Sequence, residues 1–193
     1  MKTDTKEQIL DTTLKLLLDA KDPESITVRD IATAAGVQLA MINYYFRSKD
    51  ELMYQAVSIL RNRMAGDWLS VKGKEMNAYM RFREMLIALC GMSVKYSQYM
   101  RYTVEYELTK AEIVAPQYTI PLIREICGDT CSETSIRITA YEIISILQLI
   151  FFRAKDISKY LGFDVLQNDR MVEIIDTILA NHFPEYKNET KGR

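Results

Sequence analysis

The sequence predicts an all-α protein. Apolar residues recur at helical spacing through most of the 193 residues, and segments with alternating polarity are almost absent. Seven glycines and four prolines are few for this length, and 48% hydrophobic with 26% charged residues is typical of a globular chain. Because this length fits either one large domain or a small domain followed by a larger one, the division has to come from the motifs.

The first predicted helix covers about residues 5–20, where apolar side chains form a broad stripe. It ends before Pro23, because the residue preceding a proline is pushed out of helical geometry. The second helix begins at Thr27, an N-cap residue with Asp30 three positions later. It ends at Gly36, the residue best suited to a left-handed cap.

A third, short helix follows Gly36 almost at once and has two unlike faces. At roughly 100° per residue, Ile42 and Phe46 fall together and point into a small core. Ala40 and Tyr44 point the opposite way. Four more side chains flank this exposed face or lie at its edge: Gln38, Met41, Asn43 and Tyr45. Two short helices joined by a glycine turn form a helix-turn-helix pattern, which favours a DNA-reading third helix.

Ser48 is the predicted N-cap of a long fourth helix that runs to about Trp68. Lys49 stands in its first turn, where the helix dipole disfavours a cation. A lysine at this position is better explained by a neighbouring phosphate.

In the second half, helical patterns cover about residues 75–96 and 97–112. Pro116 and Pro121 then allow only a short or kinked helix that ends near Gly128. Two strongly apolar helices are predicted at about residues 134–155 and 167–183. Since the first of these is apolar on all sides, we expect it to be covered partly by a second copy of the chain. A homodimer with a four-helix interface is the expected assembly.

Charge and cysteine content limit the possible partners and compartment. The net charge is −1, so no global basic field indicates a nucleic acid, and any DNA contact must be local. Three cysteines at uneven spacing fit a reducing cytosol. The apolar run Ile143–Phe152 is too short to cross a bilayer, so we expect a cytoplasmic protein without a membrane partner.

The segment from Ile9 to Ala56 resembles the TetR family of bacterial transcriptional regulators. The similarity lies in the entry Ser25–Ala32, the Gly36-Val37 turn, the Tyr-Tyr-Phe end of the third helix and the sequence Ser48–Leu52. It implies a helix-turn-helix DNA-binding domain at residues 1–50, with helix 48–68 as the connection. Residues 51–193 would then bind an effector and form the dimer.

The resemblance also implies roles for single residues. Thr27 and Arg29 would contact phosphates, Gln38, Leu39, Ala40 and Met41 would approach base edges, and Tyr44, Tyr45 and Lys49 would hold the DNA backbone. Asn43 stands where the family more often has tyrosine, and Ala40 where glycine is common. Gln38 and Asn43 can pair with adenine, whereas Met41 and Ala40 suit a thymine methyl. We therefore expect a roughly palindromic operator with A·T pairs in each half-site.

The C-terminal half contains methionines and tyrosines at helical spacing, which could line a cavity for a small molecule. Each residue alone is more simply explained as part of a core, and the existence of a pocket follows from the resemblance. The candidate effector-binding residues are Met85, Leu89, Met92, Tyr96, Tyr102, Glu105, Tyr106 and Gln148.

An enzyme is the least supported class of function. The sequence has no phosphate-binding glycine loop and no nucleophile elbow, and the single histidine, His182, is more simply structural. Cys127 and Cys131 are four residues apart without a second Cys/His pair, so we expect no metal and no cofactor. The main alternative is a helical protein that binds a small molecule or a partner and whose helix-turn-helix serves only packing.

Overall fold

The computed structural model describes residues 4–20, 22, 25–70, 76–95 and 97–186, without the side chains of 60–61, 63–70, 95 and 97–102. The described residues form helices joined by turns and loops and contain no strand, as predicted. In this part of the chain ten α-helices follow one another: α1 Thr5–Asp19, α2 Val28–Ala35, α3 Leu39–Tyr45, α4 Lys49–Ser70, α5 Ala78–Lys95, α6 Ser97–Thr109, α7 Ile120–Cys127, α8 Glu133–Phe152, α9 Ala154–Leu161 and α10 Asn168–His182.

The chain divides into two compact units. Unit 1 comprises the described residues within 1–63 and 96–111, and unit 2 those within 64–95 and 112–193. Helix α6 therefore belongs to the same unit as α1, α2 and α3, although it follows α5 in sequence. The boundary predicted at residue 50 concerns functional domains and stays a prediction.

Unit 1 has a core of its own, to which each of its first four helices contributes. The fully buried side chains include Ile9, Ile31, Leu52 and Ala56. The Gln8 side-chain amide donates to the carbonyl oxygen of Ala35 at 2.8 Å, which ties α1 to the last turn of α2. Burial of an aliphatic side chain stabilises a fold by about 1.5–3 kcal/mol, so this small core holds the helix-turn-helix in place.

Unit 2 is built around α5, α7, α8 and α10. Buried side chains from all four helices meet in one cluster, among them Phe82, Ile123, Ile143 and Ile175. Arg83 joins α5 to α10 through two hydrogen bonds to Asp176, of 2.6 and 3.0 Å. Hydrogen bonding to this carboxylate raises the pKa of Arg83, so its guanidinium stays charged at any ordinary pH.

Helix α8 is shorter than predicted, and α9 was not predicted at all. Arg153 leaves helical geometry at φ −109° and ψ 28°, and its amide closes α8 by donating to Leu149. A new helix then starts at Ala154 and ends at Gly162, which takes the left-handed conformation with φ 79°. Because apolar residues stand on both sides of Arg153, the helical periodicity of the sequence continues across the break and does not predict it.

Helix α8 contains an 18-residue window with a mean hydropathy of 1.5, and it is the one helix, among the described residues, long and apolar enough to cross a membrane. Its length exceeds that of the continuous apolar run in the sequence. A third of that window is nevertheless buried within the chain, where Ile136, Ala140, Ile143 and Leu147 join the core of unit 2.

Candidate DNA-binding surface

The start of α2 is fixed by a capping box, in which Thr27 is the N-cap that the sequence predicted. The amide of Asp30 donates to the Thr27 hydroxyl oxygen at 3.2 Å, and the amide of Thr27 donates to the Asp30 carboxylate at 2.8 Å. The Thr27 hydroxyl also donates to this carboxylate at 2.6 Å. These hydrogen bonds lower the pKa of Asp30, with a smaller contribution from the charge of Lys49.

The turn between α2 and α3 depends on Gly36, which has φ 64° and ψ 32°. The amide of Gly36 donates to Thr33, and the amide of Val37 donates to Ala32 at 3.0 Å. These bonds satisfy carbonyls at the end of α2 and turn the chain so that α3 begins at Leu39. A side chain at Gly36 would meet no neighbour, so the requirement for glycine comes from the backbone conformation alone.

Helix α3 has the two faces that its sequence predicts. Ile42 and Phe46 are 2% and 3% exposed and belong to the core of unit 1. Tyr44 is 80% exposed on the opposite face, and Leu39 is 38% exposed at the first turn. Gln38, Ala40 and Asn43 are exposed as well, whereas Met41 and Tyr45 are half-buried. The expected orientation of α3 is therefore confirmed.

Gln38 and Tyr44 are two exposed polar side chains at this surface. Gln38 occupies the N-cap position but makes no side-chain hydrogen bond to the helix. Its carboxamide therefore stays available to another partner. The ring of Tyr44 meets that of Tyr45 edge-on, with 5.1 Å between centroids, which supports Tyr44 while leaving most of its surface to solvent.

Lys49 begins α4 and is half-buried. The Ser48 hydroxyl oxygen accepts from the amide of Glu51 at 3.1 Å, and the Glu51 carboxylate accepts from the amide of Arg47 at 2.9 Å. The start of α4 is therefore well capped, as predicted. These bonds fix the backbone from which Lys49 extends.

The structure limits the predicted phosphate contact of Thr27 and brings a further cation, Lys6, to the candidate surface. The Thr27 hydroxyl proton is engaged by Asp30, so a phosphate contact through it would require exchange of that hydrogen bond. Arg29 is exposed. The ammonium group of Lys6, on α1, lies 5.7 Å from the centre of the Phe46 ring and so brings a positive charge to the end of α3. No local pattern in the sequence could have indicated this contact.

The described candidate effector-binding residues are distributed over both units. Met85 and Met92 are buried in unit 2, where Leu89 and Gln148 are half-buried. Glu105 and Tyr106 belong to unit 1. Tyr96 lies outside the described residues, as does the side chain of Tyr102 in α6.

One cavity in unit 1, of about 200 Å³, includes two of the candidate residues, Glu105 and Tyr106. Asp50, Thr109 and Lys110 complete its lining, and Lys110 Nζ lies 3.8 Å from Asp50 Oδ2. Partial desolvation, followed by the charge of Glu51, raises the pKa of Tyr106. The cavity is smaller than the roughly 300–1,000 Å³ usual for ligand sites.

Helices α1, α2 and α3 form a helix-turn-helix in which one face of α3 is exposed. This arrangement is typical of the class of helix-turn-helix DNA-binding proteins. Residues 9–56 match the family model of bacterial regulatory proteins of the tetR family. This match covers the helix-turn-helix segment and shows that this part of the chain is similar to that family. A search of curated proteins found no matching sequence.

Two solved structures share the fold over nearly the whole chain. One is FadR from Thermus thermophilus, a TetR family transcriptional repressor in complex with lauroyl-CoA. It has a TM-score of 0.71 and 13% identity, covering 90% of this chain and 92% of that one. The other is a TetR-like transcriptional regulator from Rhodococcus sp. RHA1, with a TM-score of 0.52 and 14% identity, covering 93% and 96%.

Proposed function

We propose that this protein is a dimeric repressor that binds a roughly palindromic operator and is released from it by a small molecule. The observation that carries the proposal is the exposed face of α3, with Tyr44 80% exposed, on a helix anchored by the buried Ile42 and Phe46. Such a helix can enter the major groove without loss of its core contacts.

The residues on this face divide into two groups. Gln38 and Asn43 offer carboxamides to adenine, and the exposed Leu39 and Ala40 suit thymine methyl groups, with Met41 beside them. Arg29, Tyr44, Tyr45 and Lys49 carry donors for backbone phosphates, and Thr27 would join them by exchanging its bond to Asp30. Lys6 adds a positive charge near the end of α3.

The apolar outer face of α8 supports a homodimer. Ile138, Tyr141, Ile146 and Leu149 are 43–52% exposed, although they are large and apolar. A surface of this kind is covered by a partner in most soluble proteins. The exposed side chains Glu173, Thr177 and Asn181 on α10 are polar, so α8 would supply the apolar centre and α10 the rim of the interface.

For the effector we propose a molecule with an apolar chain. The neighbour from Thermus thermophilus was solved with lauroyl-CoA. Helix α5 of this chain carries Met80 and Met85 in the apolar cluster of unit 2 or against it, and its Met92 is buried as well. Flexible thioethers adapt well to alkyl chains. To switch the protein, the effector must bind one arrangement of the chain more tightly than the other. TetR-family regulators are generally not enzymes, and we infer a cytoplasmic protein that returns its effector unchanged.

Fluorescence anisotropy with duplexes from the region upstream of its own gene tests the proposal. We expect specific binding that weakens as salt is raised, because phosphate contacts release counterions. Long-chain acyl-CoA should then dissociate the complex, while free coenzyme A serves as the control. Absent or salt-insensitive binding to every duplex would instead favour a helical binding protein without a DNA function.

A further inference from the structure

Cys127 and Cys131 form a disulfide between α7 and α8, with their Cα atoms 5.6 Å apart. Cys127 is the last residue of α7, and Cys131 precedes Ser132, whose hydroxyl oxygen caps α8 by accepting from the amide of Ser135. Between the cysteines, Gly128 has φ 54° and ψ −135°, a conformation essentially confined to glycine. This bend lets the two sulfurs meet.

A disulfide is unexpected in a protein that regulates transcription, because the bacterial cytosol keeps thiols reduced. Cytosolic disulfides are usually transient, and they serve catalysis or redox sensing. We propose that Cys127 and Cys131 are a reversible redox site, which a low-molecular-weight disulfide oxidises and the corresponding thiol reduces.

The surroundings of the three cysteines support selective reaction at this pair. Cys127 and Cys131 are half-buried at the edge of the unit 2 core. Cys90 is buried, and desolvation raises the pKa of its thiol to about 12. Since the thiolate is the nucleophile, Cys90 is protected from the same oxidant.

The connection between α7 and α8 also holds the cysteines near each other by other bonds. The Thr130 hydroxyl donates to the Cys127 carbonyl oxygen at 2.6 Å. Arg124 on α7 donates to the Glu133 carboxylate on α8 at 2.7 Å. These bonds do not require the disulfide, so the reduced thiols stay close enough for the bond to form again.

The oxidation is a two-step thiol–disulfide exchange. One cysteine thiolate attacks the external disulfide, forms a mixed disulfide and releases a small thiolate. The second cysteine thiolate attacks the protein sulfur of that mixed disulfide and releases the other small thiolate. The protein loses two protons and two electrons, and the external disulfide becomes two thiols.

Cys131 is the residue that attacks first. It stands just before the N-terminus of α8, where the helix dipole favours an anionic sulfur. Cys127 closes α7, where the dipole of that helix opposes a negative charge.

The first experiment uses the full-length chain in anaerobic buffers that range from reduced to oxidised glutathione. Thiols are then alkylated in denaturant and counted by intact mass. Wild type should pass reversibly from three free thiols, its full cysteine content, to the single Cys90. Cys90→Ser should keep the transition, and Cys127→Ser should lose it. A pair that stays reduced in oxidised glutathione, or joined in reduced glutathione, would overturn the proposal.

Two single variants test the order of attack. Cys127→Ser retains Cys131 and should gain one glutathione several-fold faster than Cys131→Ser, which retains Cys127. Equal rates, or the reverse order, would overturn the assignment of Cys131 as the attacking residue.

A consequence for regulation rests on the proposed function. Because α8 carries the proposed dimer face, a bond just before its N-cap can bias the dimer. Couplings of this kind typically change affinity roughly 5-fold or more. Operator affinity should differ to that extent between oxidised and reduced wild type, but not in Cys127→Ser. Equal affinities would refute the coupling while the thiol titration still stands. Absence of operator binding in both redox states would be a failure of the proposed function instead.

Discussion

Substitution of Lys49 by alanine separates a DNA contact from a contribution to folding. Lys49 is the first residue of α4, where the positive end of the helix dipole disfavours a cation. Its charge has only a minor effect on the pKa of Asp30. Lys49→Ala should therefore leave the free energy of unfolding nearly unchanged while weakening DNA binding. Circular dichroism during urea unfolding checks the first part.

The size of the DNA effect follows from counterion release. Each phosphate contact adds about 0.9 to the slope of log affinity against log salt, so two copies in a dimer add about 1.8. Raising salt from about 50 to about 200 mM should then reduce the ratio of wild-type affinity to variant affinity for DNA about 12-fold. The loss should be the same for every duplex sequence, because phosphates carry no base information.

Fluorescence anisotropy at several salt concentrations, on the operator and on an unrelated duplex, measures both slopes. Lys49→Arg keeps the charge and should keep the slope of wild type. Lys159→Ala removes an exposed cation from α9 in unit 2 and controls for net charge. If Lys49→Ala lowers affinity but leaves the salt slope unchanged, or if Lys159→Ala has the same effect, the assignment of Lys49 to a phosphate is wrong.

Three further substitutions, with Asn43→Ala as a control, test the remaining parts of the site. Gln38→Ala should relax preference at one A·T pair by about 1–3 kcal/mol in competition with base-substituted duplexes, and unchanged selectivity would exclude a base contact. Ile42→Ala should destabilise the fold by about 2–5 kcal/mol in urea unfolding, whereas the exposed Asn43→Ala should stay within about 0.5 kcal/mol. Asp30 has a pKa below its usual 3.8, so its stabilisation is complete above that pH and is lost as the pH falls through the folded-state value. Thermal unfolding of Asp30→Asn should accordingly lack this acid-dependent loss, and parallel pH profiles for variant and wild type would contradict the role of the capping box.

The predicted features that the structure confirms are local in sequence. The Thr27–Asp30 capping box, the left-handed Gly36 and the buried pair Ile42 and Phe46 each involve residues three or four positions apart, or a single backbone conformation. Helical geometry brings residues at this spacing together, so their contacts can be predicted from the sequence alone.

Other features depend on contacts between distant segments. Arg83 and Asp176 meet across α5 and α10, and Lys6 reaches the ring of Phe46. Periodicity shows which face of a helix is apolar, but it does not show which helix covers that face. For the same reason the sequence does not show that Met85 belongs to unit 2 and Tyr106 to unit 1.

The sequence by itself determined the all-α class, the helix-turn-helix and the outward face of α3, since capping and apolar spacing act within one or two turns. Only the tertiary structure decided that α6 joins unit 1, that α9 begins after Arg153 and that Cys127 meets Cys131. Each of these depends on the path of the backbone between helices. That path is set by the packing of whole helices, which no local pattern records.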